Sequence, residues 1–208
     1  MLGFDSIKSH LLTSHRNNKL HHAILLHGKK GIGKASFAKE LVQEIFNSKM
    51  LNHPDLFLIE KEATKKEIPV AKIRKISGFL NQTSAISKYK FIIVDSADEL
   101  NKSSSNALLK TLEEPHENNF LILISHNPNK VMATIKSRCH SIKIPDLSFT
   151  SFSKILQDHN QNISTEELQI LSQICDNSPA KAINSGKELI DLYDGFLSSL
   201  QAKLIDAA

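Results

Sequence analysis

The sequence predicts an α/β fold, in which a three-layer α/β/α domain with a five-stranded parallel sheet is followed by a small helical domain. Five short apolar runs alternate with helical patterns, as expected for parallel strands that helices cover on both faces. A glycine-rich turn from Gly28 to Lys34 joins the first run to a helix. After Pro145 the strand patterns stop and only helical periodicity follows.

The predicted elements of the first domain follow one another as strand and helix in turn. The strands are predicted at 23–26, 56–59, 89–95, 120–124 and 141–144. The helices are predicted at 5–18, 37–46, 68–80, 103–114 and 130–135. Most of these helices carry apolar residues on one face, and Pro115 ends the fourth.

The length of 208 residues allows one ordinary domain and a small second one. We assign residues 1–147 to the domain with the sheet and 148–188 to the helical domain. One helix is predicted at 151–158, and Ser164 opens the next with a capping box that Glu167 completes. A third helix is predicted from Ser178-Pro179 and a fourth at 189–204.

The turn from Gly28 to Lys34 has the spacing of a Walker A phosphate-binding loop. Gly28, Gly31 and Gly33 let backbone N–H groups close around a phosphate, and Lys34 is placed to reach the β- and γ-phosphates. The next residue is Ala35, whose methyl group cannot ligate magnesium as a serine or threonine hydroxyl does. The loop therefore has the pattern of a phosphate site that is poorly suited to hydrolysis. The alternative is that the glycines only make a tight turn.

A P-loop ATPase also needs an aspartate at a strand end to hold magnesium, and a neighbouring glutamate that activates water. Asp95 follows the apolar run Phe91–Val94 and is the candidate aspartate, although it could instead cap the next helix. Ser96 stands where the glutamate is expected. Ser36 does not replace the hydroxyl that Ala35 lacks, because one residue turns a helix by about 100°. Two separate requirements of hydrolysis are therefore missing.

Composition excludes several classes of protein. Cys139 and Cys175 are the only cysteines, so neither a disulfide framework nor a zinc site is expected. The net charge of +4 permits contact with nucleic acid but is more typical of a solvated surface. The N-terminus lacks a signal-peptide pattern, and no apolar run is long enough to span a membrane. We therefore expect a cytoplasmic protein without a membrane partner.

Three segments together resemble the bacterial clamp loader family, whose AAA+ subunits open the sliding clamp for the replicative DNA polymerase. They are Asn-Ala-Leu-Leu-Lys-Thr-Leu-Glu-Glu-Pro at 106–115, Phe-Leu-Ile-Leu-Ile at 120–124 and Thr-Ile-Lys-Ser-Arg-Cys at 134–139. The stretch from Leu20 to Gly28 and the turn His53-Pro-Asp55 are similar to the same family. The resemblance covers roughly residues 1–185. It implies a P-loop AAA+ domain followed by a helical lid.

Within this family, the resemblance implies a subunit that does not hydrolyse ATP. The gamma and tau subunits are ATPases that carry an arginine in the lid, whereas the matching stretch Ser178–Ile183 has Lys181 in that place. The resemblance further implies that Arg138 is an arginine finger, which acts in trans on ATP bound by the adjacent gamma subunit. Ser137 and Cys139 complete this motif, the first as a loop-positioning residue and the second as a core residue.

The resemblance also implies partners and cofactors. The partners are the gamma, tau and delta subunits, with the sliding clamp and primer-template DNA contacted through the complex. No cofactor is required, and whether ATP or ADP still binds the degenerate site stays open. Family members commonly carry a four-cysteine zinc module before the His-Pro-Asp turn, where this chain has no cysteine, so no zinc is expected. Residues 189–208 are expected to begin a collar domain that is truncated or absent.

Two alternative functions stay open. The first is an active ATPase of the gamma or tau type acting on DNA, whose magnesium is held by water and Asp95 alone. The second is a basic DNA-binding module, with Lys72, Arg74 and Lys75 as candidate phosphate contacts. Nucleotide turnover identifies the first, and a steep salt dependence of duplex binding identifies the second.

Overall fold

The computed structural model describes residues 3–50, 52–62, 64–160 and 162–205. Contacts between Cα atoms divide the chain into two compact units. The first contains residues 3–29 and 34–145, and the second contains residues 30–33 and those from 146 onward. The division therefore falls after Pro145, and the tip of the glycine-rich turn belongs to the second unit.

The first unit contains five strands in one parallel sheet. They are β1 (Ala23–His27), β2 (Leu56–Ile59), β3 (Lys90–Val94), β4 (Asn119–Ser125) and β5 (His140–Lys143). Their spatial order is β2-β3-β4-β1-β5, and every neighbouring pair is parallel. This confirms the predicted five-stranded parallel sheet.

Helices connect and cover these strands. In the first unit they are α1 (Asp5–Arg16), α2 (Lys34–Ile45), α3 (Val70–Leu80), α4 (Lys102–Glu113) and α5 (Ala133–Lys136). In the second unit they are α6 (Phe149–His159), α7 (Thr165–Cys175) and α8 (Pro179–Ile205). Residues 97–99 and 128–130 form short 3-10 turns. Helix α2 begins at Lys34, three residues before the apolar face that predicted it.

The sheet lies at the centre of the first unit. In β1, residues 23–26 are all buried, and the same holds for every residue of β3. Leu25, Ile92 and Leu123 belong to a core cluster to which α3 contributes Ile76 and α4 contributes Leu108. Strands covered on both faces need apolar side chains at every position, which explains the uninterrupted apolar runs.

The second unit is a three-helix cluster around Phe152, Leu168 and Leu171. The predicted capping box is present: Ser164 N–H donates to Glu167 Oε2 (2.7 Å), and Glu167 N–H donates to Ser164 Oγ (3.1 Å).

The prediction of separate third and fourth helices was wrong, because α8 runs without a break from Pro179 to Ile205. Gly186 does not end the helix. A Cβ there would lie 3.5 Å from the Leu171 side chain on α7, which is an ordinary van der Waals contact. The predicted start of a collar at residue 189 lies inside this helix, and residues 206–208 lie outside the described chain.

The His-Pro-Asp turn before β2 has a structural role. The buried Asp55 carboxylate accepts backbone N–H groups from Ala85 (2.7 Å), Ile86 (2.9 Å) and Ser87 (2.8 Å). Burial alone would raise the pKa of Asp55, but these donors together lower it below its usual value. The turn thereby fixes the loop that leads from α3 into β3.

Candidate functional site

The glycine-rich turn connects the C-terminal end of β1 to the first residue of α2. Gly31 and Gly33 have φ values of +83° and +95°, which side chains rarely adopt. Phe37 and Ala38 on the first turns of α2 are fully buried and anchor this helix. The structure therefore places the turn in the strand–loop–helix setting of a phosphate-binding loop.

The loop lysine is bonded within its own loop. The Lys34 side chain is buried, and its Nζ donates to the carbonyls of Gly28 (2.7 Å) and Lys29 (2.5 Å). Burial lowers the pKa of Lys34 to about 8, an effect that Asp95 and Asp98 oppose. A phosphate at this loop would have to compete with two carbonyl acceptors for the ammonium group.

The tip of the loop is bonded to the start of α8, within the second unit. Ser178 Oγ donates to the Lys30 carbonyl (3.1 Å), and the Ala180 N–H donates to the Gly31 carbonyl (3.1 Å). A Cβ on Gly31 would lie only 2.2 Å from Ser178 Oγ, so close approach as well as φ requires glycine there. Sequence reasoning assigned this stretch to the lid but did not foresee these contacts.

Asp95 lies directly after β3, and its N–H donates to the Ile59 carbonyl (2.8 Å). Its buried Oδ1 has no hydrogen-bond partner among the described residues and lies 4.0 Å from His126 Nε2. Burial raises the pKa of this carboxyl, and His126 and Lys34 oppose the shift. The cap of α4 is instead Asn101, which accepts from Ser104 N–H at 2.9 Å, so the alternative role of Asp95 as a helix cap receives no support.

Ser96 and His126 form a polar pair beside Asp95. Ser96 adopts the left-handed conformation (φ +66°), and its Oγ lies 3.2 Å from His126 Nε2. The His126 N–H donates to Asp98 Oδ1 at 2.9 Å. His126 was missed in the sequence, although it directly follows β4, whose carboxyl end adjoins that of β3. The serine at the expected glutamate position is thus hydrogen-bonded to a histidine.

The position of Ser36 agrees with its exclusion as a metal ligand. Its side chain is exposed and lines a cavity of about 890 Å³, together with Lys39 and Phe57. None of the loop glycines lines this cavity. The hydroxyl that Ala35 lacks is therefore not supplied by the next residue.

Arg138 lies at the opposite end of the sheet from the glycine-rich turn. It precedes β5, whose first residue His140 pairs with Ile24 and whose last residue Lys143 pairs with His27. Because β1 and β5 are parallel, Arg138 lies at their amino ends, whereas Gly28 follows the carboxyl end of β1. Four residues of strand span about 13 Å. Arg138 therefore does not belong to the site of its own loop.

The Arg138 side chain is 37% exposed and makes two short contacts. Its Nη1 donates to the Thr134 carbonyl (3.0 Å), and its Nη2 forms an ion pair with Glu113 Oε1 (2.9 Å). Ser137 Oγ also donates to the Thr134 carbonyl (3.1 Å), which ties the loop to α5. Cys139 packs against the apolar core, and burial raises the pKa of its thiol to about 11. A thiol with so high a pKa is not a reactive nucleophile.

A family model for the DNA polymerase III delta subunit matches residues 4–148. The chain belongs to this family. The delta' subunit of Pseudomonas aeruginosa DNA polymerase III is 36% identical over 135 residues, which cover 57% of this chain and 41% of that protein. The delta' subunit of Bacillus subtilis is 30% identical over 185 residues, covering 80% of this chain and 54% of that protein. The gamma subunit of Buchnera aphidicola is 32% identical over 190 residues, covering 80% of this chain and 51% of that protein.

The chain of this DNA polymerase III family member spans about half the length of the curated relatives it matches. A Thermotoga maritima protein related to the gamma subunit superposes with a TM-score of 0.67 at 21% identity, covering 95% of this chain and 62% of that one. The RuvB Holliday junction branch migration motor of T. maritima superposes with a TM-score of 0.61 at 14% identity, covering 90% of this chain and 60% of that one. These likenesses show the P-loop AAA+ fold.

The described residues of this family member bear on metal ligands, membrane-spanning helices and DNA contacts as follows. Within residues 3–50, 52–62, 64–160 and 162–205, no three or more His, Cys, Asp or Glu side chains form a group that could hold a metal ion. No helix in the described part is long and apolar enough to cross a membrane. Of the candidate DNA contacts, Lys72 binds Glu62 (3.0 Å) and the Glu60 carbonyl (3.0 Å), while Arg74 and Lys75 are exposed.

Proposed function

We propose that this chain is a delta-prime-type subunit of the DNA polymerase III clamp loader, which does not hydrolyse ATP itself. In this role it helps to load the sliding clamp onto primed DNA during DNA replication, in the cytoplasm. Membership of the delta subunit family and the relatives named delta' support this assignment. The loss of two groups that hydrolysis requires supports the absence of turnover.

The position of Arg138 carries the proposal that it acts in trans. Arg138 is partly exposed and lies at the sheet end opposite the glycine-rich turn of its own chain. An arginine in that position can reach a nucleotide only on another subunit. A guanidinium is planar and permanently charged, so it can stabilise the charge that spreads over the transferred phosphoryl oxygens.

The degenerate site supports the second part of the proposal. Ala35 offers no metal-binding hydroxyl. Ser96 stands where a catalytic glutamate is expected, and its hydroxyl is hydrogen-bonded to His126. Asp95 remains as the one acid that the sequence assigns to a metal site, and it cannot replace the missing hydroxyl and glutamate. The residues present thus fit a magnesium nucleotide poorly. Binding of ATP or ADP without turnover remains compatible with the loop, once Lys34 leaves its two carbonyls.

The proposed partners follow from the same assignment. They are the gamma, tau and delta subunits, with the sliding clamp and primer-template DNA contacted through the complex. Relatives named gamma and tau/gamma share 32% and 30% identity with this chain, which fits subunits that assemble side by side on one fold. Neither a cofactor nor zinc is required in this role.

The test is ATP hydrolysis by a loader reconstituted from gamma, delta and this chain. Arg138→Ala is expected to abolish most of the hydrolysis that DNA and clamp stimulate, since an arginine finger contributes about 10³–10⁵ in rate at its own site. Arg16→Ala, which removes an exposed arginine that has no proposed role, is the matched control and should match wild type. Gel filtration must show that each loader assembles. Unchanged hydrolysis by assembled Arg138→Ala loader would overturn the proposal.

A second candidate is an active ATPase of the gamma or tau type acting on DNA. The retained Asp95 and the identity to gamma and tau relatives favour it. The discriminating measurement is ATP turnover by the isolated chain in magnesium. Turnover that Lys34→Met removes would support the ATPase, whereas no turnover would favour the delta-prime-type subunit.

A further inference from the structure

The guanidinium of Arg138 is held between two helices. Its Nη1 donates to the Thr134 carbonyl on α5 (3.0 Å), and its Nη2 contacts Glu113 Oε1 at the last residue of α4 (2.9 Å). Nη1 also donates to Ser137 Oγ over a longer distance (3.5 Å), so these contacts leave two of the five guanidinium N–H groups for another ligand. The contacts therefore orient the guanidinium and still leave N–H donors for another ligand.

Glu113 is the charged partner of Arg138, whereas the other partner is a neutral carbonyl. Glu113 lies 25 residues before Arg138 in the chain. The carboxylate contacts the guanidinium through one oxygen and is itself 49% exposed. A surface ion pair of this kind is weak, because water screens both charges. The carboxylate therefore adds only to the orientation that the Thr134 carbonyl bond already gives, and it leaves much of the positive charge of Arg138 available to a phosphate.

We propose that Glu113 is a positioning residue for Arg138, which holds the guanidinium in the orientation that a neighbouring subunit's phosphate requires. This inference rests on the proposed function of Arg138. A free arginine side chain samples many rotamers, and that freedom would be lost when the phosphate binds. Because Glu113 and the Thr134 carbonyl already restrict the Arg138 side chain, part of this conformational entropy is lost before the subunits meet, and less is lost on binding.

The test compares Glu113→Ala, Glu113→Gln and Glu114→Ala in the reconstituted loader. Glu114 is exposed and adjacent, so Glu114→Ala is matched in charge and position. Glu113→Ala should lower kcat by about 10-fold and leave KM for ATP unchanged, because orientation acts on the reacting complex. Glu113→Gln keeps an acceptor oxygen and should retain most activity, and Glu114→Ala should match wild type. In an Arg138→Ala background, Glu113→Ala should have no further effect.

Several outcomes would overturn the positioning role. If Arg138→Ala is impaired but Glu113→Ala matches wild type, Arg138 acts without a brace and only the positioning role fails. If Glu113→Ala raises kcat, the carboxylate competes with the phosphate instead. If Arg138→Ala itself matches wild type, the proposed function fails as well. A Glu113→Gln loader as impaired as Glu113→Ala would show that charge, and not orientation, is required.

Discussion

Single buried charges in this protein are held by backbone groups. Lys34 donates to two carbonyls of its own loop, and the buried Lys90 donates to the carbonyls of Phe79 (2.6 Å) and Gln82 after α3. Asp55 accepts three backbone N–H groups. Charge-assisted bonds to the backbone are strong and fix the main chain itself. Such charges therefore keep the loops on either side of the sheet in place.

Asp55→Asn tests this view at the residue level. We expect the free energy of unfolding at pH 7 to fall by about 1–3 kcal/mol, because the amide leaves N–H donors unsatisfied. The folded pKa of Asp55 lies below its unfolded value, so the carboxylate stabilises the fold above pH ~4 and this contribution is lost as the pH falls further. The difference from wild type should therefore shrink toward pH 3.

Urea unfolding at pH 7 and pH 3 measures that difference. Asp158→Asn, which changes an exposed aspartate on α6, is the control and should stay within about 0.5 kcal/mol of wild type at pH 7. An Asp55→Asn protein as stable as wild type at pH 7 would show that the three hydrogen bonds contribute nothing.

Some site residues could be placed from the sequence and others could not. Asp95 follows an apolar run directly and Lys34 follows one through the glycine-rich turn, and parallel strands bring their carboxyl ends to one edge, so the shared location of the two residues was predictable. His126 carries the same signal but matches no familiar motif. The pairing of Glu113 with Arg138 depends on how α4 packs beside α5, which no local pattern records.

At the scale of elements, every strand end was predicted to within one residue, because each strand is a short apolar run between turn residues. Their order was not predicted, since it depends on which helical crossover passes over which face of the sheet. The break expected before residue 189 does not exist, because the periodicity that marks two helices also fits one long α8. Helix ends without a proline or a capping signal are weakly encoded.

The contact between the loop tip and α8 is testable at this scale. Gly31→Ala forces a side chain into the left-handed region and against Ser178 Oγ, so we expect a loss of about 1–3 kcal/mol in unfolding free energy. Ser178→Ala alone removes one hydrogen bond and should cost about 0.5–1.5 kcal/mol. Urea unfolding followed by circular dichroism measures both changes.

The double variant and a glycine control make the result specific. With Ser178→Ala in place the contact at Oγ is absent, so Gly31→Ala should cost less than it does in wild type. Gly78→Ala places a methyl group in open space on α3 and should stabilise the protein by up to about 1 kcal/mol. If the losses of unfolding free energy from Gly31→Ala and Ser178→Ala add up in the double variant, the predicted contact between the new methyl group and Ser178 Oγ does not exist.

At the scale of the whole molecule, the direction of the sheet separates two kinds of chemistry. The carboxyl edge holds the glycine-rich turn, Asp95 and His126, whereas the amino end of β5 adjoins Arg138. A site and an arginine at opposite edges suit an assembly in which each subunit faces the next. In the proposed role, this chain has kept the arginine and lost the groups that hydrolysis needs at its own site.

The most direct measurement is single-turnover ATP hydrolysis by assembled loaders that carry either Arg138→Ala or Lys34→Met. The account predicts that Arg138→Ala slows hydrolysis at the neighbouring site by about 10³-fold or more, while Lys34→Met leaves the rate unchanged. The opposite pattern, with hydrolysis slowed by Lys34→Met and unaffected by Arg138→Ala, would mean that this chain turns over its own ATP and donates no arginine.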